Sequence, residues 1–445
     1  MTSVRFWWVV LLLSGLVAGC SPGEKTPTPP TDPQGGKAGI SEGKTESKAA
    51  DRVELSQLDV ALRNAVEFLR RNQDDKDGAW RSDLYAAFKD GTALTPLVLL
   101  ALQHACDAGL SLQNELQPRL QRGYSFLDQW HDAAGKLHLT EDQLEYPVYT
   151  AALILEVFSH PSAKVQAARR PAWVRYLKER QLTEALGWSP DDVHYGGWGY
   201  CRLIPYKPQP GRFAPAFTES NLSATVYALQ GLAAADALDA ETARTAMIFI
   251  RRMQNWGDQV PMPVRDGGFR FIDADPVRNK AGKVVIPPPA DQKPLDQERP
   301  ADVGFPSYGS MTADGYRALV LCQQAGAFDP KGQDDQRLKA AATWLHKHFQ
   351  ADQHPGAYVS AHEPNRNAVY YYYIASVART FSQMRLGRGE RQNWYREIAL
   401  ALLARQHPDG HWENPCELVR ENEPLVATAQ ALIALSLCRK AWPPQ

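Results

Sequence analysis

The chain has 445 residues, 44% hydrophobic and 22% charged, the balance of an ordinary globular protein. Its 49 Lys and Arg against 50 Asp and Glu leave a formal net charge of -1, which supplies no electrostatic pull toward nucleic acid. Six cysteines are too few for a disulfide scaffold in this length, and once Cys20 is set aside for another job five remain, which cannot all pair within one chain.

At the amino terminus, Arg5 precedes an apolar run over 6–13 and a small-residue exit at Leu16-Val17-Ala18-Gly19-Cys20. That is the charged start, short core and exit of a secretory signal over residues 1–19, too short for the roughly 20 apolar residues of a membrane span. Val17-Ala18-Gly19-Cys20 resembles the bacterial lipobox. The resemblance implies cleavage before Cys20 and lipidation of its sulfur and new amine, several acyl chains giving stable anchoring. Ser21 stands where inner-membrane-retained lipoproteins carry Asp. The expected address is therefore the bacterial cell envelope, lipid-anchored in the outer membrane and facing the periplasm or the surface. Residues 21–50 hold five Pro, five Gly and no aromatic residue, so 20–50 is expected to be a lipidated, disordered tether.

From residue 51 onward one pattern recurs six times. An aromatic and an aliphatic residue, with Gln five places after the aromatic, stand at Phe68-Leu69 with Gln73, Tyr176-Leu177 with Gln181 and Phe249-Ile250 with Gln254. Weaker copies lie at Phe126-Leu127, Trp344-Leu345 and Leu402-Leu403 with Gln406. Glycine and aromatic corners follow at Gly78 to Trp80, Gly197-Trp198, Gly268-Phe269, Gly356 to Tyr358 and Gly410 to Trp412, glycine ending one helix and turning toward the next. A second helix, apolar on all faces and therefore buried, then opens near Thr95, Thr150, Thr225, Thr312 and Thr428, with Tyr370 to Tyr373 replacing the threonine in the fifth repeat. The pattern predicts an all-α fold over 51–445, with six amphipathic outer and six apolar inner helices in a closed ring.

Gln73 to Trp80 and Gln406 to Trp412 resemble the QW motif of the squalene and hopene cyclases. The paired-helix ring resembles the (α/α)6 toroid that those cyclases share with protein prenyltransferase β subunits and several polysaccharide lyases. Class II cyclases carry a D-x-D-D-T acid at an inner-helix start. The places four, two and one before Thr312 are Tyr308, Ser310 and Met311, those before Thr225 are Asn221, Ser223 and Ala224, and the other threonines likewise lack a carboxylate there. Prenyltransferase zinc ligands would fall on Val369, Tyr371 and Ala427, none of which can ligate zinc. The resemblance thus extends to fold but not to either catalytic motif, and neither a cofactor nor a metal is expected.

Acid-base material for glycan chemistry is spread over the outer-to-inner connections. His194, Tyr195, Tyr200 and Arg202 flank the third corner, Arg265 and Arg270 the fourth, and His362, Asn365 and Arg366 precede the fifth inner helix. No spacing links them, and hydrogen-bonded loop residues are the plainer reading. Asp273 and Asp275 fall short of a calcium site. Cys106, Cys322 and Cys438 read as small buried hydrophobes near inner-helix carboxyl ends. The third and fourth connections, 182–220 and 255–307, far exceed the usual 4 to 6 residues and are expected to form a partial lid.

In such a ring the cavity mouth should present Asn221, Ser223, Thr225, Tyr308, Ser310, Thr312, Tyr371 and Thr428, with Asp314 one step inside and turned away from the side Thr312 faces. His194, Tyr195, Arg202, Arg270 and His362 are expected at the rim. Hydroxyls and amides suit a glycan or an amphipathic lipid headgroup, whereas Thr and Asn also cap helices routinely. Three readings follow: a binding toroid without the cyclase reaction, an envelope enzyme acting on a polysaccharide or isoprenoid through an unrecognised catalytic set, and a scaffold that recruits another envelope protein. The expected partners are the membrane, through the anchor, and a glycan or lipid ligand, with no nucleic acid.

Overall fold

The structure is a computed structural model that describes residues 54–140, 143–212, 215–258, 260, 262–273, 278–286, 302–384 and 393–443. Cys20, the leader, the tether and Asp275 lie outside them. The described residues form twelve α-helices. The outer ones are α1 (Leu55–Arg71), α3 (Gln113–Asp128), α5 (Arg170–Lys178), α7 (Ala240–Met253), α9 (Asp334–His348) and α11 (Trp394–Leu403). The inner ones are α2 (Leu94–Asp107), α4 (Pro147–Ser159), α6 (Leu222–Ala234), α8 (Gly309–Gln324), α10 (Tyr370–Met384) and α12 (Pro424–Ala441). Each inner helix packs on the next, and α12 packs back on α2, which closes the ring. The fold is the expected (α/α)6 toroid. Among the described residues no helix is long and apolar enough to cross a membrane.

Burial follows the sequence pattern. On α1, Leu58, Leu62, Ala65, Val66 and Leu69 are buried at helical spacing, leaving a charged solvent face. Glu54 and Gln57 satisfy each other's backbone amides in a capping box. On α12 nearly every residue from Leu425 to Ser436 is buried, because outer helices cover one side and inner neighbours the rest.

The repeat motif works as a clamp. The Nε2 of Gln73 donates to Gly78 O in its own corner at 2.8 Å and to Arg119 O on the next outer helix at 2.9 Å. Gln181 repeats this with Gly196 O and Thr242 O, and Gln254 with Gly267 O and Arg337 O. Gln406 reaches Gly410 O and, across the closure of the ring, Ala61 O on α1 at 2.9 Å. The corner indoles of Trp80, Trp198 and Trp412 donate to Leu69 O, Leu177 O and Leu402 O at 2.7, 2.8 and 2.9 Å. Each indole pins the corner to its own outer helix, and each glutamine ties one hairpin to the next. The second repeat lacks this glutamine and tryptophan arrangement, and its Thr150 hydroxyl is buried without a partner.

The long third connection differs from the expected lid. Leu182, Leu186, Trp188 and Tyr195 form a small core of their own against Ile248 of α7, and Arg252 of the same helix donates to Asp192 O at 2.6 Å. The segment buries its apolar residues on the outer helix, and its Tyr200 is the residue that turns inward. In the fourth connection, 284–286 pairs antiparallel with 302–304, and Val359 N donates to Ala281 O at 3.0 Å, so its described part leans on the fifth connection.

Candidate functional site

Four of the threonines that open the inner helices are turned to the corners. Thr225, Thr312 and Thr428 are completely buried, and their Oγ1 atoms accept the backbone N–H of Trp198, Phe269 and Trp412 at 3.1, 3.1 and 3.0 Å. Thr95 does the same for Trp80. A corner that turns beneath an outer helix leaves an amide without a partner, and the threonine supplies it. The placement of Thr225, Thr312 and Thr428 at the mouth is therefore corrected: they face outward, into the corners.

Two residues along an α-helix is a turn of about 200°, so the same register that sends Thr312 outward sends Asp314 inward. Asp314 is completely buried. It accepts from Arg317 Nη2 at 2.5 Å, from Tyr372 Oη at 2.5 Å and from Ser376 Oγ. Tyr372 Oη and Tyr149 Oη each lie 2.6 Å from Ser223 Oγ, and Tyr149 Oη lies 3.0 Å from Tyr200 Oη. Arg317 continues to Gln230 Oε1 at 2.7 Å, Gln230 to Glu156 Oε2 at 2.9 Å, and Arg379 pairs with the same carboxylate at 3.1 Å. One polar chain thus joins α4, α6, α8 and α10 inside the ring. Tyr227 packs edge-on to Tyr149, with ring centroids 4.6 Å apart, and stacks on Tyr372 at 6.3 Å. Burial holds the hydroxyls of Tyr149, Tyr372, Tyr200 and Tyr227 above the usual phenol range, so they remain proton donors at any physiological pH. Tyr149, Tyr200, Tyr227 and Tyr372 are only half-buried, and Tyr149 also stacks on Tyr200 with ring centroids 5.5 Å apart.

The other expected mouth residues have local duties. Asn221 caps α6, its Oδ1 accepting from Ala224 N at 2.9 Å, while its Nδ2 is buried without a partner. Tyr308 is buried edge-on to His354. Ser310 N donates to His354 Nε2 at 2.9 Å, which leaves the imidazole proton on Nδ1, directed at Tyr358 Oη 3.0 Å away. Burial pushes His354 down to about 3. Tyr371 is corrected by one residue: its Oη donates to Glu413 O at 3.2 Å, toward a rim cleft, and Tyr372 is the tyrosine inside the ring. Glu421 from the sixth connection caps α10 by accepting Tyr371 N and Tyr372 N at 2.9 and 2.8 Å. Burial raises its carboxyl to about 7 against the donors that favour the charged form.

The expected rim residues each have local contacts. His194 packs edge-on against Trp188, and burial lowers its pKa. Tyr195 donates to Glu184 Oε1 at 2.8 Å, burial raising its hydroxyl to about 12. Arg202 pairs with Glu145 at 3.1 Å, and Arg270 reaches Asn255 Oδ1 at 3.0 Å and Asp273 at 3.4 Å. His362 Nδ1 lies 3.0 Å from Lys280 O. Asp273 is thereby engaged by an arginine.

One grouping escaped the sequence reading. His407, His411 and Glu413 place one potential ligand atom each within 4.8 Å of the others, beside a rim cleft of about 320 Å³ lined by Asn367, Tyr370, Tyr371, Arg405 and Asn414. The spacing His-x-x-x-His-x-Glu carries a signal only once the corner is known to double back, pairing His407 N with His411 O at 2.9 Å.

No protein-family model matches the chain, and no curated protein matches it. Among solved structures, a variant of type II terpene cyclase MstE from Scytonema in complex with merosterolic acid A is 13% identical, with a TM-score of 0.53 over 87% of this chain and 99% of that one. An inactive variant of the α-1,6-mannanase GH76A of Salegentibacter sp. HEL1_6, in complex with α-1,6-mannotetrose, is 11% identical, with a TM-score of 0.52 over 86% of this chain and 99% of that one. The chain is an (α/α)6 toroid, similar in fold to both.

Proposed function

We propose that the protein is a glycan-binding toroid, held at the bacterial envelope by a lipid on Cys20, whose ligand sits in the ring against Tyr149, Tyr200, Tyr227 and Tyr372. The observation that carries this reading is the hydroxyl chain centred on Ser223, which joins Tyr200, Tyr149, Tyr372 and Asp314. Half-buried phenol rings offer flat apolar faces for the C–H faces of a sugar, and the fixed hydroxyls around them meet its OH groups, the mixed lining expected of a small-molecule site. Glycoside hydrolysis uses two carboxylates flanking one bond, whereas Asp314 and Glu156 are each engaged by an arginine, which favours binding over cleavage.

Titration calorimetry of the full chain with envelope-derived oligosaccharides tests it. Binding is expected for at least one neutral glycan and should weaken at least tenfold in Tyr149→Ala and Tyr227→Ala. Binding of polyprenyl or phospholipid micelles with no glycan binding would overturn it. The anchor is tested separately: Cys20→Ala should abolish acyl labelling and detergent partitioning, and unchanged partitioning would sink that assignment.

A further inference from the structure

The corner of the sixth repeat carries imidazoles that its clamp does not use. In the first, fourth and sixth repeats the glutamine, the glycine and the threonine-bound amide perform the same structural bonds. The residue after the glutamine is Asp74, Asn255 or His407, and the residue after the glycine is Ala79, Gly268 or His411. These two positions face each other across the hairpin, so the sixth repeat sets two imidazoles side by side, 4.2 Å apart and nearly parallel at 14°. Each presents its Nε2 to one oxygen of Glu413, at 3.9 Å in both cases. Those separations are too long for direct hydrogen bonds. They suit a shared guest.

We infer that His407, His411 and Glu413 bind a divalent transition-metal ion of the zinc class, with a remaining coordination position open to the adjoining cleft for water or a small oxygen donor. Two imidazoles and one carboxylate are a ligand set that zinc accepts, at bonds of about 2.0–2.2 Å, which places ligand atoms roughly 3.3 Å apart. Binding therefore requires side-chain rotation that draws in ligand atoms now spread within 4.8 Å of one another, and the side chains of His407 and Glu413 are 42% and 46% exposed. The orienting partner is already in place: Asp409 Oδ1 lies 2.6 Å from His411 Nδ1. That bond holds the proton on Nδ1 and leaves the Nε2 lone pair for a metal, the usual carboxylate support of a ligating histidine. The site uses none of the residues of the glycan reading, so either can fail without the other.

The test is calorimetric titration of the chelator-stripped full chain with Zn²⁺, and with Co²⁺ followed by its visible absorption. One ion per chain is expected, with Co²⁺ bands of four- or five-coordinate geometry. His407→Ala and Glu413→Ala truncate half-exposed side chains and should leave the melting temperature of the stripped protein unchanged while weakening binding by more than tenfold. Asp409→Ala should weaken it about 10–100-fold through the lost support of His411. His138→Ala, at an exposed imidazole elsewhere, should change nothing. Absence of stoichiometric binding, octahedral Co²⁺ spectra, or equal losses in His138→Ala and His407→Ala would each overturn the assignment.

Discussion

Thr312 and Asp314 are two residues apart and do opposite work. Thr312 stabilises a corner by accepting Phe269 N, and Asp314 anchors the polar chain inside the ring. Thr312→Val keeps the shape of the side chain and removes the acceptor from a buried amide, which should cost about 1–3 kcal/mol, whereas Thr312→Ser should cost much less. Urea denaturation of the two variants measures the difference. His354 gives a pH prediction. Its folded pKa lies near 3 against a reference of 6.5, so the native state refuses a proton that the unfolded chain accepts. The contribution of His354 is complete above pH 6.5 and is lost as pH falls toward 3, at about 1.4 kcal/mol per pH unit. His354→Gln should flatten this acid limb in melts recorded from pH 7 to pH 4, and an unchanged slope would rule the histidine out as its source.

At the scale of the element, the clamp explains why glutamine, glycine and tryptophan recur together. Gln406 differs from its counterparts in closing the ring, since its second acceptor is Ala61 O on α1. Gln406→Ala removes two hydrogen bonds to backbone carbonyls, Ala61 O and Gly410 O, and should lower stability by about 1–3 kcal/mol, with faster amide exchange on α1 and α11 than on α5 or α6. Gly410 sits at φ +99°, and a Cβ there would lie 2.3 Å from Asn64 O. Gly410→Ala should therefore cost more than Gln406→Ala in the same melts, because both backbone strain and a collision with α1 act at once. The inner helices show the same logic in the other direction. Being covered on every side, they leave few polar positions, and those on α4, α6, α8 and α10 join in the chain from Tyr200 to Arg379.

For the whole molecule, ring closure replaces cross-links. The described cysteines Cys106, Cys201, Cys322, Cys416 and Cys438 are all free thiols, and burial raises Cys106 and Cys322 to about 11 and about 12. Cys322 and Cys438 are the buried small hydrophobes the sequence suggested, while Cys106 is only half-buried. The melting temperature should be the same with and without reducing agent to within a few degrees, and a larger drop would mean that a disulfide supports the fold.

What the sequence by itself determined was the repeat: helix number, the outer and inner alternation, the corners and the end of the ring at which they lie. These follow from short-range periods and from glycine, glutamine and aromatic residues repeated in register, and such signals survive without knowledge of neighbours. Orientation within an inner helix was not legible, because a helix apolar on nearly all faces has no amphipathic stripe to say which side meets the corner and which meets the lumen. Thr312 and Asp314 exchanged sides for that reason, and Tyr371 yielded its place to Tyr372. Besides Arg317, the partners of Asp314 lie 58 and 62 residues away in sequence, and Ser223 meets Tyr372 across a separation of 149. Only the closing of the ring brings those side chains together, and only the doubling back of the last corner sets His407 beside His411.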